Sequence, residues 1–229
     1  DAMATTIWGT SSSWTLTALP LFVWMGEILF RTKLSENLFE GLSPWMQKLP
    51  GGLIHVNVVG CALFAAISGS SAATVATVGK MSIPELRKRN YPEKILLGSL
   101  AGSGTLGLLI PPSIILIIYG VTVQESIAKL FVAGIIPGIM IALIFMGYVI
   151  VWSLFNKKEM PSIYSQYSFI DKIKRSGQLI PVIILILSVI GSIYTGIATA
   201  TEAASLGVIG ALILSYFQKS LSWSNFKSS

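Results

Sequence analysis

Two short stretches of this sequence carry residue types that leave peptide groups free to bind something. The first is Ser68-Gly69-Ser70-Ser71, set between apolar runs; the second is Gly102-Ser103-Gly104-Thr105-Leu106-Gly107, followed by Pro111-Pro112-Ser113. Proline lacks an N–H and clashes with the preceding turn, and glycine weakens a helix interior. Both stretches therefore read as interruptions of helices. A half-helix that begins at a break offers backbone N–H groups to an anion. Unwound carbonyls and Ser or Thr hydroxyls offer hard oxygens to a small cation. The tip Ser68-Gly69-Ser70-Ser71 and the break Gly104-Thr105-Leu106-Gly107 supply both kinds of group. Ser and Gly also serve close packing of helices in membranes, and for a single break that is the simpler reading. Two breaks plus a double proline reverse the order.

Other polar residues are candidates for coupling roles. Thr74 and Thr77 lie three apart on one helix face, where a hydroxyl can also bond back to a carbonyl one turn earlier. Asn57 reads as a polar contact inside a bundle, and His55 as a hydrogen-bonded interior or interfacial residue. Glu27 is a carboxylate inside an apolar segment, but Arg31 four residues on makes an i,i+4 pair. Glu202 follows Thr201 at a helix start, where a carboxylate suits the helix dipole. There is no Gly-x-Ser-x-Gly elbow, no phosphate loop and no useful pair of carboxylates, so an enzyme is not expected. One Cys excludes a disulfide framework and a Cys-based zinc cage, and one His leaves little material for a His-based metal site.

The elements that position these residues follow from charge. Only 11% of the 229 residues are charged, against about 25% in a soluble domain, and mean hydropathy is +0.74. Residues 2–26, 49–79, 95–124, 130–156, 176–201 and 203–218 contain no Asp, Glu, Lys or Arg. A membrane-spanning helix takes roughly 20 apolar residues. The chain is thus expected to be an all-α, polytopic helical membrane protein in three regions: 1–50, a first spanning helix and an amphipathic connection along the membrane surface; 51–155, the hairpin and broken helix; and 156–229, a cytoplasmic connection and two further helices. The net charge of +6 reports loop orientation rather than nucleic acid. Residue 1 is Asp and no signal peptide precedes the first span, so the chain reads as a piece of a longer one.

Segment 51–79 is the informative one. Its first arm, Leu53 to Ile67, spans roughly 22 Å at 1.5 Å per residue, short of a hydrocarbon core of about 30 Å. Arg31, Lys33 and Lys48 precede the segment; Lys80, Arg87, Lys88, Arg89 and Lys94 follow it. Cytoplasmic loops collect Lys and Arg. One crossing would put these loops on opposite faces. A re-entrant hairpin puts both inside, and also places the basic 157–175 connection inside. The 121–129 loop, with one acid and one base, then lies outside.

Taken together, Leu49-Pro50-Gly51-Gly52-Leu53-Ile54-His55-Val56-Asn57, Ser68-Gly69-Ser70-Ser71-Ala72-Ala73 and Gly107-Leu108-Leu109-Ile110-Pro111-Pro112-Ser113 resemble the large membrane subunit of tripartite ATP-independent periplasmic (TRAP) transporters. Met25-Gly26, Phe131 to Gly138 and Thr201-Glu202-Ala203-Ala204 match it too, and the resemblance covers essentially the whole chain. It implies an elevator-type transporter half with one re-entrant helical hairpin and one discontinuous helix. The implied activity is sodium-coupled import of small organic anions across the bacterial inner membrane. The implied partners are a small membrane subunit and a periplasmic substrate-binding protein, in contact with lipid, with Na+ as the coupling ion and no other cofactor. Carried onto this sequence, the sodium set is Ser68, Gly69, Ser70, Gly104, Thr105 and Gly107. The substrate set is Ser70, Ser71, Ala72, Pro111, Pro112 and Ser113, and Asn57, Thr74, Glu27 and Glu202 are coupling candidates. Such subunits are about twice as long, with a second repeat that is not present here, so the chain is not expected to transport alone. A channel lined by the broken helices, a symporter needing no binding protein, and a non-transporting scaffold are the competing readings.

Overall fold

In the computed structural model, residues 3, 5, 8, 9, 12–32, 34–161 and 167–218 are described, and among them every regular element is helical. A 3-10 turn, Trp14–Thr17, leads into α1, Ala18–Phe30. An amphipathic helix α2, Leu34–Met46, follows. The expected first segment, from residue 4, lies partly outside the described residues; its described α-helix starts at Ala18.

The hairpin is built from α3, His55–Ser68, and α4, Ser71–Lys88. Gly69 ends α3 at φ 60°, the left-handed conformation that glycine adopts without a Cβ penalty. Ser70 starts α4 as its N-cap, accepting from the Ala73 N–H at 3.4 Å. The arms run back along each other: a Cβ on Gly60 would touch Val78 at 3.6 Å, and the two residues are almost equidistant from the tip. The chain also returns to the end it left. The Leu53 N–H, just before α3, donates to the Tyr91 hydroxyl, just after α4, at 3.0 Å. Burial pushes the Tyr91 phenol above its ordinary pKa, so it stays protonated. The second arm runs to Lys88, well past the expected end at 79, and carries Lys80, Arg87 and Lys88 exposed on its surface.

The discontinuous helix is α5, Glu93–Gly104, a 3-10 turn Thr105–Leu108, an irregular stretch containing the cis Pro111–Pro112 bond, and α6, Ile114–Val123. Next come α7, Ile127–Phe155, the short α8, Phe169–Ser176, then α9, Ile180–Tyr194, and α10, Ala200–Phe217. Among the described residues three helical stretches are long and apolar enough to cross a membrane: Ile127–Phe155, Phe169–Tyr194 and Ala200–Phe217. Neither hairpin arm is.

Helix α1 packs along α10, joining the first and last of the three expected regions. A Cβ on Gly207 would run into Met25 Sδ, so the two helices pack closely there. One main core unites α1, the hairpin and the last helices through Phe22, Met25, Phe64, Phe131 and Val189. The amphipathic face of α2 departs from expectation. Leu38, Phe39 and Leu42 are buried in that core rather than laid on the membrane surface. The protein interior was available to this face because α3, α4 and α8 flank α2.

Candidate functional site

The two interruptions meet. A Cβ on Gly107 would lie 2.8 Å from Ser71 N and 2.9 Å from the Ser70 carbonyl carbon. One on Gly69 would lie 2.6 Å from the Pro112 carbonyl oxygen. The Ile114 N–H, at the start of α6, donates to the Gly69 carbonyl at 3.2 Å. Bare backbone from the hairpin tip thus sits directly on bare backbone from the broken helix. Only residues without side chains allow that approach.

Local bonds hold the tip open. Thr74 Oγ1 donates to the Ser70 carbonyl at 2.7 Å, and its oxygen lies 3.1 Å from Ser68 Oγ. Thr77 donates back to the Ala73 carbonyl at 2.7 Å. Both threonines therefore make the backbone contacts that their spacing allowed. Ser70 is half-buried and Ala72 is exposed in the first turn of α4. The Ser71 hydroxyl is buried and makes no hydrogen bond among the described residues. On the other side, Ser113 Oγ donates to the Leu108 carbonyl at 2.6 Å and closes the unwound loop. Pro111 and Pro112 are buried behind it, with Gly134 of α7 packed against the Leu109 carbonyl. Thr105 is exposed beside the junction and donates to the Gly102 carbonyl at 2.7 Å.

The donor set at this junction is hydroxyl and carbonyl oxygen, which suits a hard monovalent cation. Among the described residues no group of three His, Cys, Asp or Glu side chains forms a metal site. The N-terminal turn of α4 and its N–H groups face the same region, a setting for a carboxylate or other anion.

The remaining candidates sit apart from the junction. Asn57 is fully buried, and its amide donates to the Leu96 carbonyl at 3.2 Å and to Ser99 Oγ at 3.0 Å. It ties the first hairpin arm to α5, the half-helix that carries the break. Asn57→Ala is expected to lower stability by about 1–3 kcal/mol, because it removes the two buried bonds that join α3 to α5; thermal unfolding in detergent measures it. Glu27 receives Arg31 Nη2 at 2.7 Å and Nε at 2.9 Å in the expected i,i+4 pair. Glu202 and Thr199 form a reciprocal capping box at the start of α10. His55 donates from Nε2 to the Pro50 carbonyl at 2.7 Å.

One supporting residue escaped sequence reasoning. A Cβ on Gly26 of α1 would come within 2.9 Å of Ser68 Cβ, so α1 backs the hairpin tip from outside the two breaks. Met25-Gly26 was among the stretches that carry the family resemblance, but a glycine inside an apolar helix gave no sign that it backs Ser68.

Known proteins resemble this chain along its sequence. A family model described as "Tripartite ATP-independent periplasmic transporter, DctM component" matches residues 1–229. The C4-dicarboxylate TRAP transporter large permease protein DctM of Pseudomonas aeruginosa is 32% identical over 216 residues, which are 94% of this chain and 50% of that protein. The isethionate TRAP transporter permease protein DctMQ of Oleidesulfovibrio alaskensis is 34% identical, covering 95% of this chain and 34% of that protein. The ectoine/5-hydroxyectoine large permease protein UehC of Ruegeria pomeroyi is 33% identical, covering 87% and 46%. The chain spans about half the length, or less, of these relatives.

Proposed function

The chain belongs to the DctM-component family of tripartite ATP-independent periplasmic transporters, helical multi-pass proteins of the bacterial inner membrane, and from that premise we propose that it builds half of the ion and substrate site of a sodium-coupled importer of small organic anions. The observation that carries the proposal is the contact of the two interruptions, Gly69–Ser71 against Gly107 and Pro112–Ile114. Secondary transporters use paired helix breaks of this kind near the membrane midplane. Sodium is assigned to the oxygens of Ser68, Gly69, Ser70, Gly104, Thr105 and Gly107. The substrate's anionic group is assigned to the start of α4 at Ser70, Ser71 and Ala72, facing Pro111, Pro112 and Ser113.

In this reading the hairpin is re-entrant, and 51–155 moves as the transport unit of an elevator against the helices on either side. A small membrane subunit and a periplasmic binding protein complete the system, and the binding protein selects the cargo. Relatives named for a C4-dicarboxylate, isethionate and ectoine fit a permease whose own contacts are with the shared acidic group.

Uptake by a large permease carrying this sequence tests the assignment. Ser70→Ala combined with Thr105→Ala is expected to raise the sodium concentration for half-maximal uptake about tenfold, a loss near 1.4 kcal/mol. Removal of the Ser70 cap costs about 1 kcal/mol of stability in addition. Unchanged sodium dependence would remove these oxygens from the site, and sodium-independent conductance would indicate a channel. The re-entrant path has its own test. Lys48→Cys and Lys80→Cys are both expected to label from the cytoplasmic face, with Cys61 fully buried and silent. Labelling from opposite faces would replace the hairpin with a crossing.

A further inference from the structure

A second site lies away from the helix breaks, where the basic loops gather. A cavity of about 500 Å³ opens between the ends of α1 and α2, the charged half of α4, and α8. Among the described residues its charged lining is balanced, with Lys80, Arg89 and Arg175 against Glu36, Glu40 and Glu85. These charges are mostly not spent on one another. Arg89 Nη2 reaches Glu85 at a long 3.6 Å. Lys80 instead sits over the Phe30 ring, 5.2 Å from its centroid, and Arg175 over the Tyr167 ring at 4.9 Å. Among the described residues Glu40 accepts the Gln178 amide, at 3.2 Å, and no cation. Two cations held on aromatic faces, beside carboxylates they do not pair with, leave the cavity ready for a ligand bearing both signs.

The helix bordering the cavity says where that ligand comes from. In α8, Phe169, Ile170 and Ile173 share one arc and are 66%, 75% and 54% exposed, whereas Lys172 is 9% exposed, packed over Trp45. A soluble amphipathic helix turns its apolar arc inward; this one turns it outward, towards what must be acyl chains. Tyr167 and Arg175, on the same short segment, line the cavity. Headgroup chemistry and chain-facing surface therefore adjoin.

We propose that this cavity binds the headgroup of a zwitterionic, primary-amine phospholipid, with the phosphodiester between Lys80 and Arg175 and the ammonium at Glu36 and Glu40. A phosphocholine headgroup has no N–H to donate to the carboxylates, and an anionic glycerol headgroup leaves them without a counter-charge. The site rests on the membrane placement alone and is independent of the sodium assignment.

Native mass spectrometry of the purified chain in detergent tests it, with phosphatidylethanolamine, phosphatidylcholine, phosphatidylglycerol and water-soluble O-phosphoethanolamine as probes. Phosphatidylethanolamine is expected to bind at least about tenfold tighter than the other two lipids. Lys80→Ala with Arg175→Ala should lose about tenfold in affinity for it. Glu36→Gln with Glu40→Gln should abolish the preference over phosphatidylglycerol while keeping binding itself. Single Lys80→Gln and Arg175→Gln variants with unfolding midpoints unchanged in lipid-free detergent guard against misfolding. Equal lipid retention by these variants would overturn the proposal. Binding of O-phosphoethanolamine as tight as that of the lipid would overturn it too, since the ligand would then be a free organophosphate.

Discussion

Gly69→Ala is expected to abolish sodium-dependent uptake and to destabilise the protein by roughly 3 kcal/mol, from about 1–2 for a left-handed residue with a Cβ and about 1–3 for overpacking. Both terms act at once here. Gly69 has φ 60°, and its Cβ would stand 2.6 Å from the Pro112 carbonyl oxygen. That oxygen belongs to backbone, so it cannot swing away as a side-chain tip would. Relief requires the tip and the broken helix to separate, which stretches the hydrogen bond between the Gly69 carbonyl and the Ile114 N–H. The proposed ion oxygens come from both sides of that contact. Gly196 provides the control: its φ is 71°, yet a Cβ there would meet nothing within 4 Å. Gly196→Ala should cost only the conformational part, about 1–2 kcal/mol, and leave uptake intact. Thermal unfolding and sodium-dependent uptake of the two variants measure the difference. Equal effects would mean that backbone strain alone matters and that the close approach of the breaks does not.

The sequence made the breaks visible because helix punctuation is local. Ser68 to Ser71 and Gly102 to Pro112 announce themselves by glycine, serine and proline without reference to any other residue. The turn between the two arms was legible in the same way, and the Leu53 to Tyr91 bond joins the outer ends of the pair. The re-entrant path rests on a rule about loops, that basic residues on both sides of 51–79 belong on one face, and stays part of the proposal that cysteine labelling tests. What could not be read was which surfaces touch. The face of α2 has the period of an interfacial helix, and period alone does not distinguish lipid from a protein neighbour. The support of Ser68 by Gly26, and of α1 by α10, joins residues more than 40 and more than 150 positions apart, roughly speaking, and no local pattern encodes such pairing. Glu27 and Glu202 are the opposite case. Their partners, Arg31 and Thr199, are within one helical turn, so the local readings of ion pair and helix cap were available from spacing.

The packing of the second arm on the broken helix makes a prediction whose sign depends on background. Gly104 ends α5, and a Cβ there would collide with Val75 Cγ2 of α4. Valine is stiff at χ1, so the methyl cannot rotate out of the way without strain. Gly104→Ala alone is expected to lower stability by about 2 kcal/mol as an overpacking change. For a chain of this size that shifts the unfolding midpoint by roughly 4–8 °C. Val75→Ala removes the obstructing methyl. On that background Gly104→Ala should no longer destabilise, and the gain of about 1 kcal/mol from replacing glycine in a helix should emerge. The coupling between the two sites is then about 2–3 kcal/mol, in the range for residues in direct contact. Transport should follow the same pattern if the close approach of α4 to Gly104 is what aligns the ion oxygens: impaired in Gly104→Ala and largely restored in the double variant. Additive stability effects would show that Val75 and Gly104 do not touch, and with them would go the packing of the hairpin on the unwound stretch that the proposed site depends on.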